Sequence, residues 1–406
     1  MIVSDSTPPK REISAPSPSP TPIIVGRPRT VEQKPQVIIQ NSEKPESVIE
    51  RPENAERIED RTSTVSGMLS FGDIKSRIAE ARRQLQTRPV STASVGNTYE
   101  GVEIVRVAFL DTVRNELDYV VMTKEAFLST AADKALTSEN GKNILVRTIR
   151  GNGVNTPITI TDSRNVRHQP LLVQYPRVEK GRYLETAYYM STHPGLVTPE
   201  VVNAGRIYVR NVLDLAREKL RERRINIDPK VVDIAERLAA VEHVDHLRFR
   251  TEPHQDIYND VYTLFALNEG QTYRYAVSSA GAGGMVQMIP STYRMVRNQF
   301  SQVPLNADFV EGMRDHVNAS QAMLLYMQWT WDDLKRRSAI ADALLSGIAT
   351  QEQLMAAGYN SNPARLAGYI TRGGENWTNL IPRETQIYLR IYASVEEHVP
   401  IKPRAR

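Results

Sequence analysis

The chain has 406 residues, no cysteine, and 51 Lys and Arg against 47 Asp and Glu, a formal net charge of +4. That length accommodates two or three domains with real cores, and a hydrophobic content of 40% excludes a wholly disordered protein. The missing cysteines exclude disulfides, thiolate metal sites and cysteine nucleophiles, and the interspersed acids and bases argue against the basic stripe of a nucleic-acid binder.

Residues 1–66 carry ten of the 24 prolines with many Ser, Glu and Lys and no sustained apolar period. Such a segment buries too little surface to offset its ordering entropy, so a disordered Pro-rich tail is expected. Its start shows no apolar run of the secretory type, and no segment of the chain approaches the roughly 18 apolar residues of a membrane span. Residues 67–97 are read as a short amphipathic helix and linker. In "FGDIKSRIAEARRQLQ", Ile74, Ile78, Ala81 and Leu85 recur at helical spacing.

Over 98–181 the runs "GVEIVRVAFLD", "LDYVVMT", "NILVRTI" and "TPITITD" are rich in Val, Ile and Thr and are separated by "SENGKN" and "RGNGVNT". They predict a small β-rich accessory module of about five strands. From 182 to 257 the pattern turns helical: Thr198 is an N-cap candidate before "PEVVNAGRIYVRNVLDLAREKLRER", and Asp228-Pro229 opens the next helix. Helical segments continue to 399, and 400–406 is read as a tail. His243, His246 and His254 match no zinc pattern such as HExxH and are expected to be structural or surface residues.

The stretch "NEGQTYRYAVSSAGAGGMVQMIP", residues 268–290, isolates one carboxylate, Glu269, before a glycine-rich run. The preceding "DIYNDVYTLFAL" is helical, and Gly270 stands where helices commonly end, which puts Glu269 in the last turn. The negative end of the helix dipole and partial burial both favour a neutral carboxyl there, as a general acid working near neutrality requires. On position alone a solvated helix-end glutamate is the better reading.

The context adds to this. Glu269 is followed by Ala276-Val277-Ser278, then Ala280-Gly281-Ala282-Gly283-Gly284, then Gln287 and Pro290. This ladder resembles the signature of the soluble lytic transglycosylase family, and three later blocks resemble the family's in the same order: "RDHVNASQAMLLYM", "AAGYNSNPARL" and "LIPRETQIYLRIY". The resemblance covers about 258–395. Gly270-Gln271, Val286, Ile289 and Ser361-Asn362 depart from the usual residues, which puts substrate contacts in question more than the acid.

The resemblance implies an α+β chain whose mainly α, lysozyme-like catalytic domain occupies 258–399. It implies cleavage of the MurNAc-GlcNAc β-1,4 bond of peptidoglycan with formation of 1,6-anhydromuramic ends, a lyase reaction that consumes no water. Glu269 would act as acid and then base. Ser278, Gln287, Tyr359 and Asn360 would bind substrate, with Tyr359 also orienting the acid. Gly281, Gly283 and Gly284 would let backbone approach the sugar. No cofactor and no metal is expected, and the partner is the peptidoglycan glycan strand, with no nucleic acid and no transmembrane segment. An envelope protein could be engaged through the tail or the β-rich module. The substrate implies the periplasm or cell envelope. Two alternatives stand beside this: a non-catalytic glycan-binding scaffold, and a muramidase with a second carboxylate at Asp308, Glu311 or Asp315.

Overall fold

The computed structural model describes residues 69–88, 94–95, 98–99, 103–179, 181–268 and 281–405. The expected tail over 1–66 lies outside the described residues, as do Glu269 and Ser278. The chain is a mixed α+β protein with a curled antiparallel sheet followed by a long helical region.

Ser70 accepts the Asp73 amide at 3.1 Å and so starts α1 (Phe71–Gln86). The expected stripe of Ile74, Ile78, Ala81 and Leu85 is buried, packed with Leu171 and Leu172 of the sheet. Each large aliphatic side chain buried this way contributes about 1.5–3 kcal/mol, enough to dock the helix on the sheet.

A two-stranded ribbon, β1 (Ser94–Val95) and β2 (Thr98–Tyr99), precedes the main sheet. That sheet comprises β3 (Ile104–Asp111), β4 (Glu116–Thr123), β5 (Lys134–Thr137), β6 (Asn143–Thr148), β7 (Ile158–Asp162), β8 (Arg167–Glu179) and β9 (Arg182–Tyr189), with α2 (Lys124–Leu128) after β4. The order is β4-β3-β8-β7-β6-β5, and β9 also pairs with β8. The long β8 meets β7 with its first residues, β3 with its middle and β9 with its second half, which curls the sheet.

The sheet therefore has seven strands where about five were expected, and it extends to Tyr189, past the expected boundary at 181. Pro170 and Pro176 hid β8, because proline cannot donate to a ladder. In the structure Pro170 sits at a register shift opposite Phe109, and Pro176 lies opposite Thr186.

Helices follow: α3 (Pro199–Glu222), α4 (Pro229–Val241), α5 (His246–Thr251), α6 (His254–Leu267), α7 (Pro290–Gln299), α8 (Phe309–Arg314), α9 (His316–Leu334), α10 (Ser338–Leu345), α11 (Gln351–Asn360), α12 (Leu366–Gly373) and α13 (Arg383–His398). Thr198 and Asp228 cap α3 and α4 as expected. The two helices α3 and α6 touch at Gly205, where an added Cβ would lie 1.9 Å from the Tyr262 carbonyl oxygen. One large core joins α3, α4, α6, α9, α11 and α13. Among the described residues no helix is long and apolar enough to cross a membrane.

Residues 400–406 are not a loose tail throughout. Arg404 is buried: its Nη1 donates to Asp233 at 2.8 Å and Glu236 at 2.6 Å, and its Nε to Asp214 at 2.6 Å. Burial holds the Glu236 carboxyl above its ordinary range, and Arg404 pulls it back down. The Arg404→Ala variant should lose about 3 kcal/mol at neutral pH, the cost of stranding buried carboxylates. Its Glu236 pKa rises further, so the folded state binds more protons than the unfolded one and stability falls as pH rises. The deficit against wild type should therefore shrink on mild acidification; urea unfolding at both pH values checks this, and an unchanged deficit would rule out the clamp as its source.

Candidate functional site

The glycine run ends in a tight loop, Gly281–Ile289, closed by a Gly283–Met288 bridge and leading into α7 through Pro290 at its first turn. Gly281 and Gly284 both have positive φ, +77° and +71°. Gly284 is also wedged: a Cβ there would sit 2.7 Å from the Met313 carbonyl oxygen at the end of α8. Gln287 adopts φ +47°, uncommon for a residue with a side chain, and its Nε2 donates back to the Gly284 carbonyl at 2.9 Å.

Two neighbouring carbonyls of this loop are held from two different elements. Tyr359, near the end of α11, donates its hydroxyl to Val286 O at 2.7 Å. His243, just past α4, meets Met285 O at 2.9 Å through Nε2, which must carry the hydrogen because a carbonyl only accepts. The His243 ring stands edge-on to Phe265 of α6.

The other blocks converge on the same region. Asn360 accepts the Thr385 hydroxyl at 2.9 Å, which joins "AAGYN" to "IPRET". Asn318 of α9 is buried and donates to Tyr293 Oη and Gly312 O, both at 2.8 Å, while accepting the Asn306 amide at 2.9 Å. It fastens α7 and α8 to α9. Tyr326 packs edge-on against Tyr359 with ring centroids 5.9 Å apart, and burial pushes its hydroxyl up to about 12.

A carboxylate not singled out in the sequence stands here. Glu242 is the C-cap of α4, next to His243, and the buried Tyr388 of α13 hydrogen-bonds its Oε1. Burial raises the Tyr359 and Tyr388 hydroxyls well above the usual tyrosine range, and the Glu242 charge raises both further. The signal in the sequence was the end of "DIAERLAAVEH", where the amphipathic period runs on toward Phe249 while the helix stops at Val241.

Gln287, Tyr359, Asn360, Gly281, Gly283 and Gly284 are thus gathered around one loop, whereas Glu269 and Ser278 lie outside the described residues. Among the described residues α6 ends at Leu267 with Asn268 as its C-cap, and the expected placement of Glu269 in a last helical turn falls on a residue outside them. Asn268 binds the Met190 backbone beyond β9, accepting its amide at 3.1 Å and donating to its carbonyl at 2.8 Å.

The remaining candidates have separate settings. Asp308 and Asp315 accept backbone amides as caps of α8 and α9, and Glu311 pairs with Arg314 at 2.7 Å. His254 stacks on Phe249 and hydrogen-bonds Ser394 at 2.8 Å, while His246 begins α5. Among the described residues no group of three His, Cys, Asp or Glu is arranged to hold a metal ion. Compared with family models, curated proteins and solved structures, the chain finds no match.

The two glycines should respond differently to alanine. Gly281→Ala meets only Pro290 carbons at 3.7 Å, so strain alone should cost about 1–2 kcal/mol. Gly284→Ala adds the Met313 clash and should cost about 3 kcal/mol or more. Equal losses in chemical denaturation would contradict the wedge.

Proposed function

We propose that the chain is a peptidoglycan lytic transglycosylase with a lysozyme-like catalytic region, cleaving the MurNAc-GlcNAc β-1,4 bond in the cell envelope or periplasm. The observation that supports this reading is the meeting of separate sequence blocks at one loop: Tyr359 reaches Val286 and Asn360 reaches Thr385. These are contacts between the segments that carry the resemblance.

In the proposed reaction a carboxylic acid protonates the glycosidic oxygen as the C1–O bond breaks. The substrate's acetamido group stabilises the oxocarbenium-like centre. The resulting carboxylate then takes the proton of the muramic 6-hydroxyl while its oxygen bonds to C1. One carboxyl group completes the cycle, the bond count balances without water, and no second carboxylate is required. Gln287 would present its amide to the glycan from a backbone already held in its strained position. Two of the carboxylates considered for a hydrolase, Asp308 and Asp315, are engaged in helix caps.

Digestion of purified peptidoglycan followed by mass analysis of the muropeptides tests this. Anhydro-ended fragments are expected. Reducing muramic ends would make the chain a muramidase, and binding without fragments would make it a glycan-binding scaffold. Tyr359→Phe removes one hydrogen bond worth about 1–1.5 kcal/mol. If that bond holds the loop in working order, kcat should drop about ten-fold with the fold retained.

A further inference from the structure

We infer that the proton-transferring carboxyl of this site is Glu242, not Glu269, an inference that rests on the proposed glycan cleavage. The argument begins with what surrounds the described carboxylate. Tyr388, wholly buried in α13, hydrogen-bonds Glu242 Oε1 and so fixes the carboxyl from behind. Tyr388 belongs to "IPRETQIY", and Thr385 one turn earlier bonds Asn360, next to Tyr359. The side chain that orients the carboxyl and the side chain that holds the loop therefore come from coupled segments.

The next residue, His243, grips the Met285 carbonyl, and Tyr359 grips the one after it. The end of α4 is thereby tied to the loop two residues before Gln287. Glu242 is part-exposed, as a group that must reach substrate has to be. Both tyrosines are kept protonated by burial and by the Glu242 charge, so they donate hydrogen bonds and do not compete as bases.

The surroundings of the other carboxylate's neighbours point elsewhere. Ala266 and Leu267 pack into the core shared with α1 and the sheet, with Leu171, Leu172 and Met190, and Asn268 is hydrogen-bonded to Met190. The chain leading to Glu269 is fastened to the β-rich module, while the chain bearing Glu242 is fastened to the glycine loop. Between Glu242 and Asn268 the described chain carries α5 and α6, and its far end is held at Met190, away from the glycine loop. Glu242 is the catalytic residue on this view, and Tyr388 is a positioning residue.

The test compares wild type, Glu242→Gln, Glu269→Gln and Tyr388→Phe of the full chain on purified peptidoglycan, with thermal unfolding of each. Expected are a fall of about 10²–10⁴ in kcat for E242Q with folding intact, near wild-type release of anhydro fragments by E269Q, and a lowered kcat at unchanged KM for Y388F. If E242Q does not fold, Glu242→Asp, which retains the charge but withdraws the carboxyl by one methylene, should lose kcat while melting normally. An active E242Q, or an E269Q as inert as E242Q, overturns the assignment while leaving the glycan-cleaving reading in place. A wild-type chain that releases no fragments removes that reading, and this assignment with it.

Discussion

Two consecutive peptide carbonyls, Met285 O and Val286 O, are the points on which this site depends. His243 takes the first and Tyr359 the second, from elements more than a hundred residues apart in sequence. A glycine-rich loop ordinarily loses more conformational entropy on folding than any other kind of segment. Here the loss is offset by two side-chain bonds, by the wedge of Gly284 against α8, and by the return bond from Gln287 to Gly284 O. The left-handed backbone of Gln287 is one product of that over-determination.

What holds the donors in place is helix packing. His243 follows α4, whose inner face is buried in the common core, and Tyr359, near the end of α11, packs against the same core. The scaffold beneath tolerates little change of volume, because Gly205 of α3 lies against the Tyr262 backbone of α6 and Gly312 of α8 lies against the Tyr293 hydroxyl. The β-rich module contributes as a buttress: its core runs continuously into Ala266 and Leu267 at the end of α6, and α1 closes that core from the other side. It is packed into the helical region, not hung beside it.

Much of this was legible in the sequence where one local rule dominated. The stripe of α1, the caps Thr198 and Asp228, and four strands of the module follow from periodicity and turn chemistry. The longest strand was not legible, since Pro170 and Pro176 contradict strand propensity and only the register shift beside Phe109 accommodates the first of them. The end of α4 was equally hidden. Its apolar period continues past Val241, but Asp245 caps a new helix by accepting the amides of Leu247 and Arg248, and the chain turns at Glu242. A carboxylate at such a break has no sequence signal stronger than its position. Its partner, Tyr388, lies 146 residues away.

The positions at which the sequence departs from the pattern it resembles are accounted for once side chain and backbone are considered separately. Val286 stands where a methionine is usual, yet its side chain is buried in the core while its carbonyl is the group Tyr359 binds. Ser361 and Asn362 stand where Ala-Gly is usual. Ser361 returns its hydroxyl to Ala357 O at 2.8 Å, and Asn362 accepts the Ala364 amide at 3.0 Å. The Ser361 bond closes the end of α11, and the Asn362 bond caps the short turn at Pro363–Arg365 that follows it. Ile289 remains the exception among these positions: it is exposed at the entrance to α7, beside Pro290. The side chains at 286, 361 and 362 are thus accommodated within the fold, which leaves Ile289 as the one of these four departures whose side chain is exposed.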